Sequence, residues 1–252
     1  MDRMIHTALN ALRVMRDTQV NQAQNLANQN VPGFRRDLTD NTNTKFLDVM
    51  NGLQTRAFQM EGEGGAFAEQ AGFMDRTGEE LDVAIGDQGY FFIQPQNGEV
   101  ALSRRGDLRR QPDGTLINGA GDTMLDAGLQ PIVVPPYQSI RITELGEIHI
   151  EPQGGAPGET VVAGVLGTVV PEADVQLRKG LDGEIRQVDG GVPNPNQGAE
   201  VIQVTLEGSN VNPVEELLTS IEIQRNFEIG LRMVMSAKEL DEGSATLMRP
   251  PE

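Results

Sequence analysis

The chain has 252 residues, a formal net charge of −17, and neither cysteine nor tryptophan. This length predicts one or two domains with a sizeable core. The lack of cysteine excludes disulfides, thiolate nucleophiles and cysteine-ligated zinc, and the negative charge argues against nucleic acid as a partner because phosphates would be repelled.

The first segment, residues 1–28, predicts an amphipathic helix. Its apolar residues recur at heptad spacing, with Gln19 and Gln22 as polar members: Met1, Ile5, Ala8, Leu12, Met15 and Leu26. This spacing predicts one narrow apolar stripe. Val31-Pro32-Gly33 ends the helix, because proline disfavours helix at the preceding residue and glycine supplies a flexible exit. Alone in water such a helix would be marginal, so we expect it to need a partner.

The next segment, residues 34–75, is predicted to connect two domains. It contains a possible short helix around Phe46 and Met50 and a glycine-rich linker at 61–65. Nowhere does the chain reach 18 consecutive apolar residues, and charged residues interrupt the N-terminus. We therefore expect no membrane-spanning helix and no cleavable secretory leader, so that the chain is either cytoplasmic or exported without cleavage.

From Leu81 onward the pattern predicts short strands. The candidates are Leu81–Ile85, Tyr90–Gln94, Glu99–Ser103, Thr115–Asn118, Ile132–Val134, Ser139–Ile142, Glu147–Ile150, Thr160–Val170, Val175–Arg178, Glu184–Val188 and Val201–Leu206. Turn signals such as Asn97-Gly98 and Asp113-Gly114 separate them, which indicates hairpins. The middle of the chain is thus predicted to be a mainly antiparallel β domain.

The last segment predicts a second helix that begins at Asn212-Pro213, an N-cap followed by proline, and ends near Leu240. Glu215 and Glu216 stand in its first turn, where the helix dipole favours anions. Its apolar stripe is predicted to consist of Val214, Leu217, Leu218, Ile221, Leu231, Val234 and Met235, with Phe227 beside it.

Together these elements predict an α+β fold, in which the N- and C-terminal helices form a coiled-coil-like helical domain around a central β domain. The predicted boundaries are 1–33 and 208–252 for the helical domain, 34–75 for the connecting segment and 76–207 for the β domain. We expect assembly contacts at eight residues of the two stripes: Ile5, Leu12, Met15, Leu26, Leu217, Ile221, Leu231 and Met235.

A catalytic or metal site is not predicted. His6 and His149 belong to elements of different type, and the nucleotide-binding and serine-hydrolase motifs are missing. Asp113 and Asp122 are better explained by turns than by a carboxylate pair or a calcium loop. We expect no enzyme activity, no cofactor and no metal. Acidic residues concentrate in 61–99, where a solvated surface is favoured over a docking patch for a basic partner.

Several motifs, in order along the chain, resemble those of bacterial flagellar rod and hook proteins. They are Asn25-Leu26-Ala27-Asn28 with Pro32-Gly33-Phe34-Arg35; Thr77-Gly78 with Leu81-Asp82-Val83-Ala84-Ile85; Ser103-Arg104 with Gly106; and Glu207-Gly208-Ser209-Asn210-Val211-Asn212-Pro213 with Gln224-Arg225-Asn226-Phe227. The first eight residues are more similar to proximal rod members than to distal rod members of this family.

The resemblance implies a structural subunit that leaves the cytoplasm through the flagellar type III export apparatus and polymerises helically across the periplasm. Its terminal helices would line an export channel, its β domain would face outward, and the rod would transmit torque. The implied partners are further copies of the same chain, neighbouring rod proteins including the distal rod protein, and the export apparatus. The resemblance implies neither nucleic-acid binding nor insertion into a membrane. Phe46 and Met50 fit a pattern thought to be read at the export gate, although a packing role for Phe46 is favoured. The alternatives are a distal rod protein and a secreted β-rich adhesin or glycan-binding protein.

Overall fold

The computed structural model describes residues 2–38, 65–86, 88–96, 98–155, 158–180 and 182–247. Within residues 2–10, 240–242 and 244–247 it describes the backbone alone. The described residues fall into two compact units. The helical unit contains residues 2–27, 37–38 and 212–247, and the β unit contains residues 28–36 and 65–211.

Two helices make up most of the helical unit, α1 (Asp2–Ala27) and α2 (Pro213–Leu247). They contact each other and run antiparallel, because Asn25 of α1 meets Glu216 near the start of α2 while Leu12 meets Gly230 further along. A Cβ atom on Gly230 would lie 3.0 Å from Leu12 Cδ2, so glycine here permits a close approach of the helices.

The predicted coiled-coil-like domain is wrong. A coiled coil requires the apolar stripes of two helices to bury each other. In the described part of α2, however, six of the seven residues of the predicted stripe are exposed and Val234 is half-buried, while the buried side chains are Glu216 and Ala237. Among the described residues, contacts between the helices include those of Asn25 with Glu216 and of Leu12 with Gly230, so a carboxylate and a glycine of α2 face α1 at these points.

The N-terminus of α2 has the predicted cap. The Asn212 side-chain oxygen accepts a hydrogen bond from the Val214 amide at 3.1 Å, and the Asn212 carbonyl accepts one from the Glu216 amide at 3.1 Å. The helix continues through Gly243 to Leu247 instead of ending near Leu240. In the described part of the chain, neither helix combines the length and apolar character that crossing a membrane requires.

The β unit consists of short strands that pair antiparallel throughout the described ranges. The strands are β1 (Met74–Arg76), β2 (Val83–Ile85), β3 (Tyr90–Gln94), β4 (Ala101–Ser103), β5 (Arg109–Arg110), β6 (Leu116–Ile117), β7 (Thr123–Met124), β8 (Tyr137–Ile142), β9 (Glu147–Pro152), β10 (Val161–Val165), β11 (Thr168–Val169), β12 (Leu177–Lys179), β13 (Ile185–Gln187), β14 (Val201–Gln203) and β15 (Thr205–Glu207).

These strands form one large sheet and three small ones. The large sheet has the order β12-β13-β4-β3-β7-β6-β5, with β11 also paired to β3. A meander β8-β9-β10 forms the second sheet, and β2-β14 and β1-β15 form two-stranded ribbons. The two ribbons bring residues near 75 and 84 against residues 201–207, so the last strands close the unit next to its first strands.

The core of the β unit contains two apolar clusters. The larger one joins the meander to the large sheet through Phe91, Ile93, Ile142 and Ile148, together with neighbouring aliphatic residues. The smaller cluster lies around Phe92 and related side chains such as Leu102 and Ile185. Both are fully enclosed, which gives the β unit a core of its own.

Candidate assembly site

The most unusual surface of the helical unit is the side of α2 that faces solvent. Four large apolar side chains on it are largely uncovered: Leu217 is 51% exposed, Ile221 59%, Leu231 43% and Met235 64%. We call these four residues the outer stripe. Isolated exposed leucines are ordinary, but a row of them along a helix marks an interaction site.

The outer stripe follows from helix geometry. With about 100° between successive residues, these four side chains fall within a sector about 80° wide on the helix surface. The sequence predicted all four as members of one apolar face. The structure brings them to one solvent-exposed side of α2.

A second exposed apolar set lies about 100–160° around α2 from the centre of the outer stripe. It contains Leu218 at 58%, Ile229 at 49% and Met233 at 53% exposure. Of these only Leu218 was predicted. Ile229 and Met233 were missed because they do not share the heptad spacing of the outer stripe, although the mostly apolar run 227–235 was the available signal.

The face of α2 that contacts α1 is, by contrast, partly polar. Asn25 and Glu216 are each 2% exposed, and Asn25 Nδ2 lies 3.5 Å from Glu216 Oε1. Asn25 also exchanges two hydrogen bonds with the backbone of Asp37, donating to its carbonyl at 3.0 Å and accepting from its amide at 2.8 Å. The side-chain amide of Gln22 is buried without a hydrogen-bond partner among the described residues.

The predicted assembly residues of α1 whose side chains the structure describes are less exposed than the outer stripe and less buried than Asn25 and Glu216. Leu12, Met15 and Leu26 are half-buried, which leaves part of each side chain uncovered. The side chain of Ile5 lies outside the described residues. Val20, which was not predicted, is 53% exposed.

Two other predicted features fall elsewhere. Phe46 and Met50, the possible export-gate contacts, lie outside the described residues. The acidic side chains of 61–99 that the structure describes are mostly exposed, Glu69, Asp75 and Glu79 among them.

Within the β unit the resembling motifs meet at a buried charge cluster. Glu207 accepts a hydrogen bond from Arg104 Nε at 2.6 Å through one carboxylate oxygen and pairs with Arg35 Nη1 at 2.9 Å through the other. All three side chains are at most 3% exposed. Burial lowers the pKa of the Arg35 guanidinium, an effect that Glu207 opposes and Arg104 reinforces. Sequence reasoning included these residues in motifs but assigned them no role.

A different carboxylate of the β unit has a strongly shifted pKa. Burial, aided by the negative charges of Asp122 and Asp182, raises the pKa of Glu184 to about 7. Arg186 and Lys179 act in the opposite direction. In the described ranges no three acidic or histidine side chains converge closely enough to hold a metal ion. This carboxylate is therefore a pH-dependent element of stability.

Comparison with known proteins gives this geometry a context. The family model described as "Flagellar hook protein FlgE/F/G D1 domain" matches residues 84–150, within the β unit. The model described as "Flagellar basal body rod FlgEFG protein C-terminal" matches residues 202–247, which include the whole outer stripe.

Similarity to single proteins extends over nearly the full chain. The flagellar basal-body rod protein FlgF of Caulobacter vibrioides is 31% identical over 242 residues, which cover 95% of each chain. FlgF of Salmonella typhimurium is 30% identical over 253 residues, or 97% of each chain. The chain belongs to the FlgE/F/G family of flagellar rod and hook proteins.

The FlgG branch of the FlgE/F/G family is also similar. FlgG of Agrobacterium fabrum is 28% identical over 236 residues, which cover 86% of this chain and 88% of the relative. As a member of this family, the chain is a structural subunit of the flagellar rod and is located in the basal body. The exposed face of α2 is consistent with a protein that works by assembling with other subunits.

Proposed function

We propose that this chain is a FlgF-type subunit of the proximal rod, which polymerises helically and forms part of a torque-transmitting shaft around an export channel. The FlgF relatives at 30–31% identity over 95–97% of the chain support this branch over FlgG, whose representative matches at 28% over 86%. The alternative of a secreted adhesin or glycan-binding protein has no comparable support.

The observation that carries this proposal is the outer stripe. An exposed row of Leu217, Ile221, Leu231 and Met235 has no use in an isolated subunit, because each side chain loses hydrophobic stabilisation by remaining in water. Contact with neighbouring subunits would cover it. Ile5, Leu12, Met15 and Leu26 of α1 complete the proposed assembly surface, in line with the half-buried state of the last three.

The same reasoning assigns a role to each segment of the chain. The predicted bounds assign residues 1–33 and 208–252 to the proposed assembly domain, 34–75 to the connection and 76–207 to the outward-facing β domain, whereas by compactness residues 28–36, 65–75 and 208–211 belong to the β unit. The partners are further copies of this chain and neighbouring rod proteins, the distal rod protein among them. This role requires neither catalysis nor a cofactor, because the rod acts through contacts alone.

Export is the second part of the proposal. The flagellar type III export apparatus is the proposed route, and the first 60 or so residues carry the signal. Fusion of residues 1–60 to a passenger protein should send the passenger out through this route. Phe46→Ala, with Met50→Ala as a matched variant, should slow export if the gate reads this segment. Normal export of both variants would return Phe46 to a packing role.

Incorporation into basal bodies tests the main proposal. An epitope-tagged chain should restore rods and motility to cells that lack the gene, and the tag should co-purify with the rod fraction. A chain that ends at residue 211, and so lacks α2, should restore neither. Intact rods in cells that lack the gene, or rods built with the truncated chain, would contradict the proposal.

A further inference from the structure

The buried charge cluster joins the two stretches of the β unit that connect it to the helices. The first stretch, residues 33–36, follows α1 along the chain, and the second, residues 207–210, precedes α2. We call them the N-lead and the C-lead. Both belong to the β unit.

Three backbone contacts bind the two leads to each other. The Gly33 amide donates to the Glu207 carbonyl at 2.7 Å, and the Asn210 amide donates to the Phe34 carbonyl at 3.3 Å. The Arg36 amide donates to the Asn210 side-chain oxygen at 2.6 Å. Gly33 has a φ of +68°, and a Cβ atom there would lie 2.4 Å from the Arg104 carbonyl, so only glycine fits this crossing.

Side chains then tie the paired leads to the rest of the unit. The Glu207 carboxylate binds Arg35 and Arg104, and it also accepts a hydrogen bond from the Gly72 amide at 2.8 Å. Arg104 in turn donates to the carbonyls of Gly89 at 2.6 Å and Ile85 at 2.8 Å. A single carboxylate therefore connects the N-lead and the C-lead to the ends of strands β2, β3 and β4.

The N-lead is held from its other side as well. Lys179 Nζ donates to the Arg35 carbonyl at 2.9 Å and lies 3.7 Å from the centre of the Phe34 ring. Asn210 Nδ2 donates to the carbonyls of Ala68 and Gln70 at 2.9 and 2.8 Å. Neutral hydrogen bonds hold both leads, and the charged contacts of Glu207 and Lys179 add to them; a buried ion pair is costly to break because breaking it leaves a charge uncompensated.

We propose that Glu207 is the positioning residue of a clamp that makes the N-lead and the C-lead one mechanical element. A turning load on the β unit then passes to both helices together, and neither lead rotates independently of the other. This inference rests on the proposed function for its mechanical role. The clamp itself is a property of the isolated subunit and can be tested separately.

Hydrogen exchange on the isolated full chain tests the clamp. Glu207→Gln keeps the shape but removes the negative charge and places an amide N–H₂ group against one of two arginines, so one arginine loses its carboxylate acceptor. The amides of Gly33 and Arg36 should exchange at least tenfold faster, while core amides such as Phe92 keep their protection. Glu79→Gln, the same change at an exposed carboxylate, should alter neither.

Two outcomes would overturn the clamp. One is unchanged exchange at Gly33 and Arg36 in Glu207→Gln. The other is faster exchange that is uniform over the β unit, since that would make Glu207 an ordinary core contact. If Glu207→Gln does not fold, Asn210→Ala serves instead: it removes the acceptor for the Arg36 amide and should release Arg36 while the Phe92 amide stays protected.

Motor rotation under load tests the mechanical role. Rods built with Glu207→Gln should assemble and turn normally at low load, yet lose at least half their speed or break when a large bead is attached to the filament. Normal rotation at high load, with exchange at the leads increased, would overturn the mechanical role. Failure of the wild-type chain to enter rods would instead overturn the proposed function and leave the exchange result standing.

Discussion

The replacement Ile221→Asp is expected to separate assembly from folding. Ile221 is 59% exposed in the subunit, so the variant leaves no cavity in the helical unit and should change the free energy of unfolding by no more than about 0.5 kcal/mol. Both units should therefore keep their structure.

The effect on assembly should be far larger. Full burial of an isoleucine side chain contributes about 1.5–3 kcal/mol, so covering its exposed part contributes about 1–2 kcal/mol at each contact. An unpaired polar group in the same contact costs roughly 2 kcal/mol or more. The sum, about 3–4 kcal/mol, weakens each contact roughly a hundred- to a thousandfold.

The assay compares three variants in cells that lack the chromosomal gene. Ile221→Asp should abolish rods in purified basal bodies and motility in soft agar. Cells with Ile221→Leu, which keeps the apolar volume, should swim normally. Glu222 is an exposed neighbour turned away from the outer stripe, so Glu222→Ala should reduce motility only slightly. Thermal unfolding of the purified variants checks that all three fold. Swimming cells with Ile221→Asp would refute the reasoning.

Three further expectations concern stability. The pKa of Glu184 is raised to about 7, so its protonated carboxyl favours the folded state at low pH, and this contribution is lost as the pH rises from about 4.5 through 7. Glu184→Gln should flatten that decline and raise the free energy of unfolding above pH 7 by at most about 3 kcal/mol, as measured by urea unfolding from pH 4 to 8. Val204 has a φ of +62°, which is strained for a β-branched residue. Val204→Gly should therefore raise the free energy of unfolding by about 1 kcal/mol and with it the melting temperature. A lower melting temperature would contradict the assigned strain. Asn25→Ala removes both hydrogen bonds to Asp37 and should destabilise the helical unit by about 1–3 kcal/mol, visible as lost helical circular dichroism on heating while the β unit melts unchanged.

Local pattern was sufficient to predict much of the β unit. The strand Tyr90–Gln94 has the predicted bounds, and the Asp113-Gly114 turn lies where the sequence indicates it. Apolar runs bounded by turn residues carry this information within a few residues. Strands that pair over long distances do not: β1 was missed, because Met74–Arg76 is a strand only through its pairing with β15, 131 residues later.

Two predicted strands proved to be broken, each for a reason that a single segment does not reveal. The run Thr160–Val170 is interrupted at Gly167, where a Cβ atom would lie 2.4 Å from the Asp126 carbonyl. The run Val201–Leu206 is interrupted at Val204, whose left-handed backbone separates β14 from β15. Both breaks serve contacts with distant parts of the chain.

The packing of the two helices was predicted less well than their apolar faces. Apolar periodicity located the outer stripe, but it did not reveal where α1 meets α2, at positions that include Glu216 and Gly230. A buried carboxylate and a glycine contribute no apolar signal by which these two contacts could be detected. The clamp around Glu207 was equally hidden, because its charges come together only when segments more than 100 residues apart meet.

Chemical accessibility of the outer stripe is the most direct test of the central claim, that this face is covered by other subunits in the rod. The chain contains no cysteine, so Leu217→Cys and Met235→Cys each introduce a single thiol. Both thiols should react rapidly with a maleimide in the isolated subunit, at least tenfold more slowly in intact rods, and rapidly again after the rods are dissociated. Equal reaction rates in subunits and in intact rods would contradict the account.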